Sequence, residues 1–206
     1  VLLNASDLSP IKTIDVVSKA GKSSRVSAVY AAPPRNSFVA ALKDIPEIWE
    51  IDYSDDPRPV ARGVVHSWTP GLEEGNFDFG PFPVRKVVLK DFLDDFFFDQ
   101  SYEHVVGAAR DGKSGQVVNL DVGRKIADID LAGMPHLGSG ITFDYKGHPV
   151  LATPHLKGGV VSVIDMQTWK TIKKIKTLGP GFFMRSHDNT PYAWVDVFSG
   201  PDKDAL

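Results

Sequence analysis

Gly140-Ile141-Thr142-Phe143-Asp144-Tyr145, then Lys146-Gly147-His148-Pro149, then Val150-Leu151-Ala152-Thr153 read as two β segments joined by a tight turn. After Lys157-Gly158-Gly159 come Val160 to Asp165, a second turn at Met166-Gln167-Thr168, and Trp169 to Ile175. Four short strands thus fill about 44 residues, the size and content of one β-propeller blade. The same unit recurs. Asp7-Leu8-Ser9-Pro10-Ile11-Lys12-Thr13-Ile14 aligns with Asp165-Met166-Gln167-Thr168-Trp169-Lys170-Thr171-Ile172. Equivalent aspartates stand at Asp52, closing Ile48-Trp49-Glu50-Ile51, and at Asp121, closing Val117-Val118-Asn119-Leu120. Aspartate at such a position reads as a turn former, because its carboxylate bonds the backbone two residues on.

The four aspartates are spaced 45, 69 and 44 residues apart. The middle interval exceeds one period by 24 residues, which predicts an insertion at 66–86, a stretch rich in Gly, Pro and Phe. A plain β-sandwich does not generate a fixed period of this kind. The chain is therefore read as all-β, a β-propeller of about four blades. It opens on the two outer strands of one blade (1–17) and continues through blades at about 22–64, 87–131 and 138–177. It closes on the inner strands of another, at 181–198. Outer and inner halves can pair to close a four-bladed ring, or the chain can be a fragment of a larger propeller. The arithmetic leaves both open.

Composition narrows the function. With 206 residues, 23 basic and 26 acidic side chains, the formal charge is −3, which suits neither a nucleic-acid nor an anionic-membrane binder. There is no cysteine, so disulfides, thiolate nucleophiles and iron–sulfur sites are excluded. No apolar run reaches the length of a membrane span. The chain lacks an initiator Met and a signal-peptide pattern, and is expected to begin mid-protein. No phosphate loop or His-x-x-x-His pair is present, so no metal site is expected.

In a four-stranded meander (strands a to d, inner to outer), the b–c loops and d–a crossings share one face, here called the top. Arg25 and Asp94 each lie 27 residues before the aspartate of their blade, and His136 lies 29 before Asp165. These three are thus expected at equivalent places beside the central axis, a cation, a carboxylate and an imidazole at one mouth. Arg110 and His155 come from b–c loops of the same face, and the insertion is expected to emerge there too. His104, His148 and His187 fall on the opposite, bottom face. The glycines of Met134-Pro135-His136-Leu137-Gly138-Ser139-Gly140 allow a flat ligand close to the backbone.

Four stretches carry a family resemblance. Phe92-Leu93-Asp94-Asp95-Phe96-Phe97-Phe98, Gly133-Met134-Pro135-His136-Leu137-Gly138-Ser139-Gly140, Val160-Val161-Ser162-Val163-Ile164-Asp165-Met166 and Leu178-Gly179-Pro180-Gly181-Phe182-Phe183-Met184-Arg185-Ser186-His187 resemble the NirF family. That family belongs to haem d1 biosynthesis in denitrifying bacteria and is related to the d1 domain of cytochrome cd1 nitrite reductase. The resemblance implies an eight-bladed d1-type propeller, of which this chain is the middle to C-terminal half. Haem d1 or a late precursor is the implied ligand, with the axial iron ligand outside this segment.

In the nitrite reductase two histidines reach over the haem. His136 matches the second and Asp94 the first, so nitrite reduction is not expected. Ser139 stands where the reductase has a carboxylate-binding Arg, Arg25 aligns with another Arg, and Arg185 lies near the next crossing. On this reading Asp94 and His136 act as general base and acid on a tetrapyrrole side chain. Arg25 and Arg110 anchor the peripheral carboxylates, with His155, Ser139 and Arg185 completing the cofactor contacts. The chemistry implied is dehydrogenase-type or another side-chain modification. A non-catalytic tetrapyrrole carrier or an interaction scaffold is the alternative. Implied partners are nitrite reductase and other haem d1 biosynthesis proteins, in the periplasm.

Overall fold

The computed structural model describes residues 1–18, 20–66, 73–108, 115–131 and 134–206. β1 (Leu2–Leu3) and β2 (Pro10–Lys12) form a two-stranded sheet. The first full blade begins with β3 (Val26–Ala32), β4 (Ser37–Leu42) and β5 (Glu47–Asp52). A separate hairpin of β6 (Val60–His66) and β7 (Glu73–Asp78) follows, and β8 (Val84–Val88) then completes the blade beside β5. The second blade is β9 (Asp95–Phe98), β10 (His104–Ala108), β11 (Gly115–Asn119) and β12 (Arg124–Ile129). The third is β13 (Ile141–Tyr145), β14 (His148–Pro154), β15 (Val160–Asp165) and β16 (Lys170–Lys176), before a last pair, β17 (Met184–Ser186) and β18 (Ala193–Val195). Every pairing is antiparallel.

The middle strands explain why blades stack. Successive side chains of a strand point to opposite faces, and here both faces are core. Val105 and Val118 pack toward the first blade with Val39, Ala41, Ile48 and Leu120. Their neighbours Val106 and Val117 pack toward the third blade with Leu151 and Ile164. Val150, Ala152 and Val163 then meet Met184 of the last pair. This is why β10, β11 and β15 each carry adjacent valines rather than an apolar–polar alternation. Each such Val, Leu, Ile or Met side chain contributes roughly 1.5–3 kcal/mol when fully buried. The outer strand β16 is exposed and carries Lys170, Lys173, Lys174 and Lys176, which discourage edge pairing with other chains.

Among the described residues the two half-blades do not pair with each other. The chain is therefore a partial propeller, which resolves the ring-or-fragment alternative. Between β1–β2 and the first blade lies an apolar groove of about 530 Å³, lined by Leu3, Ile11, Val26, Val29, Phe38 and Trp49 among others.

Two expectations need correction. The insertion does not span 66–86, and the first blade does not end at 64: β6 is the first strand of the inserted hairpin, and β8 takes the outer position. The packing accounts for this. β8 supplies Val87 to the core and Arg85 to Glu50, and sets Lys86 Nζ 4.2 Å over the Trp49 ring. The hairpin thus interrupts a c–d connection and leaves from the bottom face, not the top. Residues 67–72 of the expected insertion lie outside the described residues. Second, Asp7, Asp52 and Asp165 accept backbone N–H groups two residues on, but Asp121 does not. Asn119 caps that turn, and Asp121 bonds Arg35 of the preceding blade.

Gly159 is where a b–c loop meets a d–a crossing. A Cβ there would lie 2.9 Å from the Thr177 carbonyl oxygen and 3.1 Å from Gly179 Cα, both backbone atoms. Gly159→Ala is expected to cost about 1–3 kcal/mol by overpacking. Denaturant unfolding of the full-length variant checks it; an unchanged midpoint would show that the two backbones can part.

Candidate functional site

The starts of successive inner strands are joined by polar contacts along the top face. Ser27 Oγ donates to the Asp94 carbonyl oxygen at 2.7 Å and lies 3.2 Å from Asp94 Oδ1. Asp95 accepts from the Tyr30 hydroxyl at 3.0 Å and from the Gly138 N–H at 2.8 Å. Ser139 Oγ donates to the Phe182 carbonyl oxygen at 2.7 Å. Ser27, Asp94–Asp95, Gly138–Ser139 and Phe182 belong to four consecutive units, so these contacts trace the rim of the mouth. A cleft of about 480 Å³ runs from Gly138 along the inner strands, past Phe96 and Phe98 to Tyr102.

His136 sits on this rim with one nitrogen committed. Its Nδ1 lies 2.6 Å from the Phe182 carbonyl oxygen and 3.0 Å from Ser139 Oγ. A carbonyl only accepts, so the proton sits on Nδ1 and Nε2 carries the lone pair. Among the described residues no group hydrogen-bonds Nε2. The imidazole packs on Phe182 with ring centroids 4.3 Å apart, and Phe182 in turn contacts Phe183 and Phe198. All three phenyl rings are exposed. The Arg185 guanidinium lies 5.7 Å over the Phe183 ring and donates to the Met184 carbonyl. A basic nitrogen beside an exposed aromatic shelf and a cation suits a flat, largely apolar ligand with anionic edges.

The other expected residues are placed differently. Arg25 is not an open cation: its Nε and Nη2 fork onto Asp44 at 2.9 and 2.7 Å. The bonds from Arg25 hold the Asp44 carboxyl well below the usual carboxylate range. An approaching ligand carboxylate therefore meets a neutralised pair at the surface. His155 is not open at the mouth either. Its ring is 2% exposed, with Nε2 2.8 Å from Ser162 Oγ, while its backbone pairs with Pro135 and accepts from Gly181. It braces the rim from beneath. Ser139 is equally buried and acts on His136 and Phe182. Asp94 is half-buried and bonded to Ser27, and Arg110 lies outside the described residues. Among the described residues no three His, Cys, Asp or Glu side chains cluster as a metal site.

Two features of the rim escaped sequence reading. One is Asp95 with Tyr30, although the Asp94-Asp95 doublet signalled that a neighbour could share the work. The other is the Phe182–Phe183–Phe198 shelf, whose Phe-Phe pair stood only within one of the family-like stretches.

The model of the Cytochrome D1 heme domain family matches residues 1–69 and 73–206. The chain belongs to the cytochrome D1 heme domain family. Over all 206 residues this family member is 46% identical to the dihydro-heme d1 dehydrogenase of Pseudomonas aeruginosa, covering 37% of that protein. It is 25% identical over 194 residues to the nitrite reductase of Stutzerimonas stutzeri, which is 87% of this chain and 30% of the reductase. Among solved structures, the dihydro-heme d1 dehydrogenase NirN in complex with DHE matches with a TM-score of 0.81 and 45% identity. That match covers 97% of this chain and 38% of the other. The D1 domain segment described here thus spans between 30% and 38% of the length of these relatives.

Proposed function

We propose that the protein carrying this segment binds haem d1 or a late precursor across the His136 rim and modifies a side chain of the macrocycle. The observation that carries this reading is the state of His136. Its proton is fixed on Nδ1 by the Phe182 carbonyl, and its Nε2 lone pair lies beside the aromatic shelf. A nitrogen so held can take a proton from a ligand side chain. The exposed rings of Phe182 and Phe183 would stack on the macrocycle, and Arg185 would meet a peripheral carboxylate. Arg25 can do so only by sharing its charge with Asp44. Asp94, held by Ser27, is the second group proposed to handle protons. A bound tetrapyrrole supplies the conjugated electron sink that makes such a proton removable.

Identity to a dihydro-heme d1 dehydrogenase supports dehydrogenase-type chemistry within haem d1 biosynthesis, the process to which the NirF-like motifs also point. We propose a periplasmic location from the NirF-like resemblance alone. A visible-absorbance titration of the full-length protein with haem d1 tests the reading. A saturable spectral shift is expected, weakened about tenfold in His136→Ala, the loss of one good contact (about 1.4 kcal/mol). No shift would leave an interaction scaffold.

The inserted hairpin favours a second role beside the first. Phe77 and Phe79 at its base are exposed with ring centroids 6.0 Å apart, on the face opposite the rim. This surface would dock nitrite reductase or another haem d1 biosynthesis protein. Deleting the hairpin would then abolish partner capture and spare pigment binding.

A further inference from the structure

We propose that Asp95 is the positioning residue that holds His136 in its single working tautomer and orientation. The proposal rests on geometry along the rim, and on the tetrapyrrole reading only for its functional consequence. The turn Leu137–Ser139 carries His136 at its start. Three anchors fix that turn. Leu137 is fully buried in the core between the second and third blades. Ser139 bonds the Phe182 carbonyl. The central residue, Gly138, has no side chain, and its N–H donates to Asp95 Oδ2 at 2.8 Å.

Asp95 is itself aimed by Tyr30, whose hydroxyl donates to Oδ1 at 3.0 Å. Burial, then the Asp95 carboxylate, pushes the Tyr30 phenol up to about 12, so it stays a donor throughout the working pH range. The Tyr30 ring is braced edge-on by Phe96 at 4.8 Å. Inner strands of two blades thus converge on one backbone N–H of a third. The fit is close. A Cβ on Gly138 would stand 2.8 Å from Tyr30 Oη and 3.1 Å from both Asp95 carboxylate oxygens. Releasing this N–H frees the turn between His136 and Ser139. The Nδ1–H bond to Phe182 then competes with alternatives, and Nε2 no longer has one direction.

The experiment is nitrogen-15 NMR of histidine-labelled full-length protein, with the His136 signals assigned by their loss in His136→Ala. Wild type is expected to show one neutral tautomer, protonated at Nδ1. Asp95→Ala removes both carboxylate oxygens and so the acceptors of Tyr30 and Gly138, and Gly138→Ala displaces the same contact from the other side. Both are expected to show tautomer-averaged His136 shifts. An unchanged His136 signature in either variant overturns the proposal, and because Gly138→Ala leaves every charge in place, a folding defect of Asp95→Ala alone cannot hide the answer. A haem d1 titration runs beside it. Affinity about tenfold weaker in both variants is expected; wild type that binds no haem d1 would sink the tetrapyrrole reading while the NMR result still decides the role of Asp95.

Discussion

Replacing His136 with alanine in the full-length protein is expected to slow tetrapyrrole modification about 10²–10⁴-fold, the usual contribution of a positioned acid–base group. The argument starts at the other nitrogen. The Phe182 carbonyl fixes the proton on Nδ1, so only Nε2 can accept, and it does so from a half-buried position beside the Phe182 and Phe183 rings. His136→Asn separates chemistry from scaffolding, because the asparagine amide nitrogen falls where Nδ1 stood. Its amide N–H can still donate toward Phe182, which should keep the rim and much of the pigment affinity. It has no basic nitrogen, so single-turnover rates should fall as far as in the alanine variant. Asp94→Asn keeps a carbonyl oxygen for the Ser27 hydroxyl and removes only the charge. Normal rates in His136→Ala and Asp94→Asn would remove both residues from the chemistry and leave binding alone.

The comparison with sequence reading shows which physics is local. The repeat was legible because three of its four aspartates cap their own turns, a contact spanning two residues. The blade phase followed from it, and so did the expectation of Arg25, Asp94 and His136 at equivalent places in successive units, although it is Ser27, two residues after Arg25, that bonds Asp94. What failed was non-local. Val60–His66 and Val84–Val88 both look like outer strands. Only pairing with β5, and the reach of Arg85 to Glu50 and Leu120, chooses the second. Likewise Arg25 reads as a free cation until Asp44, from the b–c loop of its own blade, closes on it. His155 reads as a loop residue until Ser162 shows its ring turned inward. Asp94 and Asp95 are adjacent, but strand alternation sends one toward Ser27 and the other toward Tyr30 and Gly138. A one-residue shift in attention separates the expected site carboxylate from the one that organises the turn.

Glu50→Ala is expected to destabilise the full-length protein by about 2–4 kcal/mol, because it strips the common partner from two guanidinium groups between blades. Glu50 accepts from Arg35 Nε at 2.7 Å, from Arg85 Nη2 at 2.5 Å and from Ser37 Oγ at 3.1 Å. Arg35 continues to Asp121 at 2.6 Å, tying the first blade to the second. The Glu50 side chain is 11% exposed, so desolvation is severe, whereas Arg85 at 33% keeps some water and moderates the loss. An exposed pair would be worth under about 1 kcal/mol. Burial alone would raise the Glu50 carboxyl, but the bonds and charges of Arg35 and Arg85 outweigh it and hold it below its ordinary value. A depressed carboxyl stabilises the fold in full above the unfolded value of roughly 4.3, and that stability is lost as pH falls through the folded value. Glu50→Gln, which cannot ionise, lacks this term at neutral pH. Denaturant unfolding at pH 7 and pH 3 should therefore show the gap between wild type and Glu50→Gln narrowing in acid; a constant gap would mean the carboxylate charge contributes nothing. Haem d1 titration of Glu50→Gln at neutral pH should match wild type, because the Glu50 cluster joins the blades on the bottom face and touches no residue of the His136 rim.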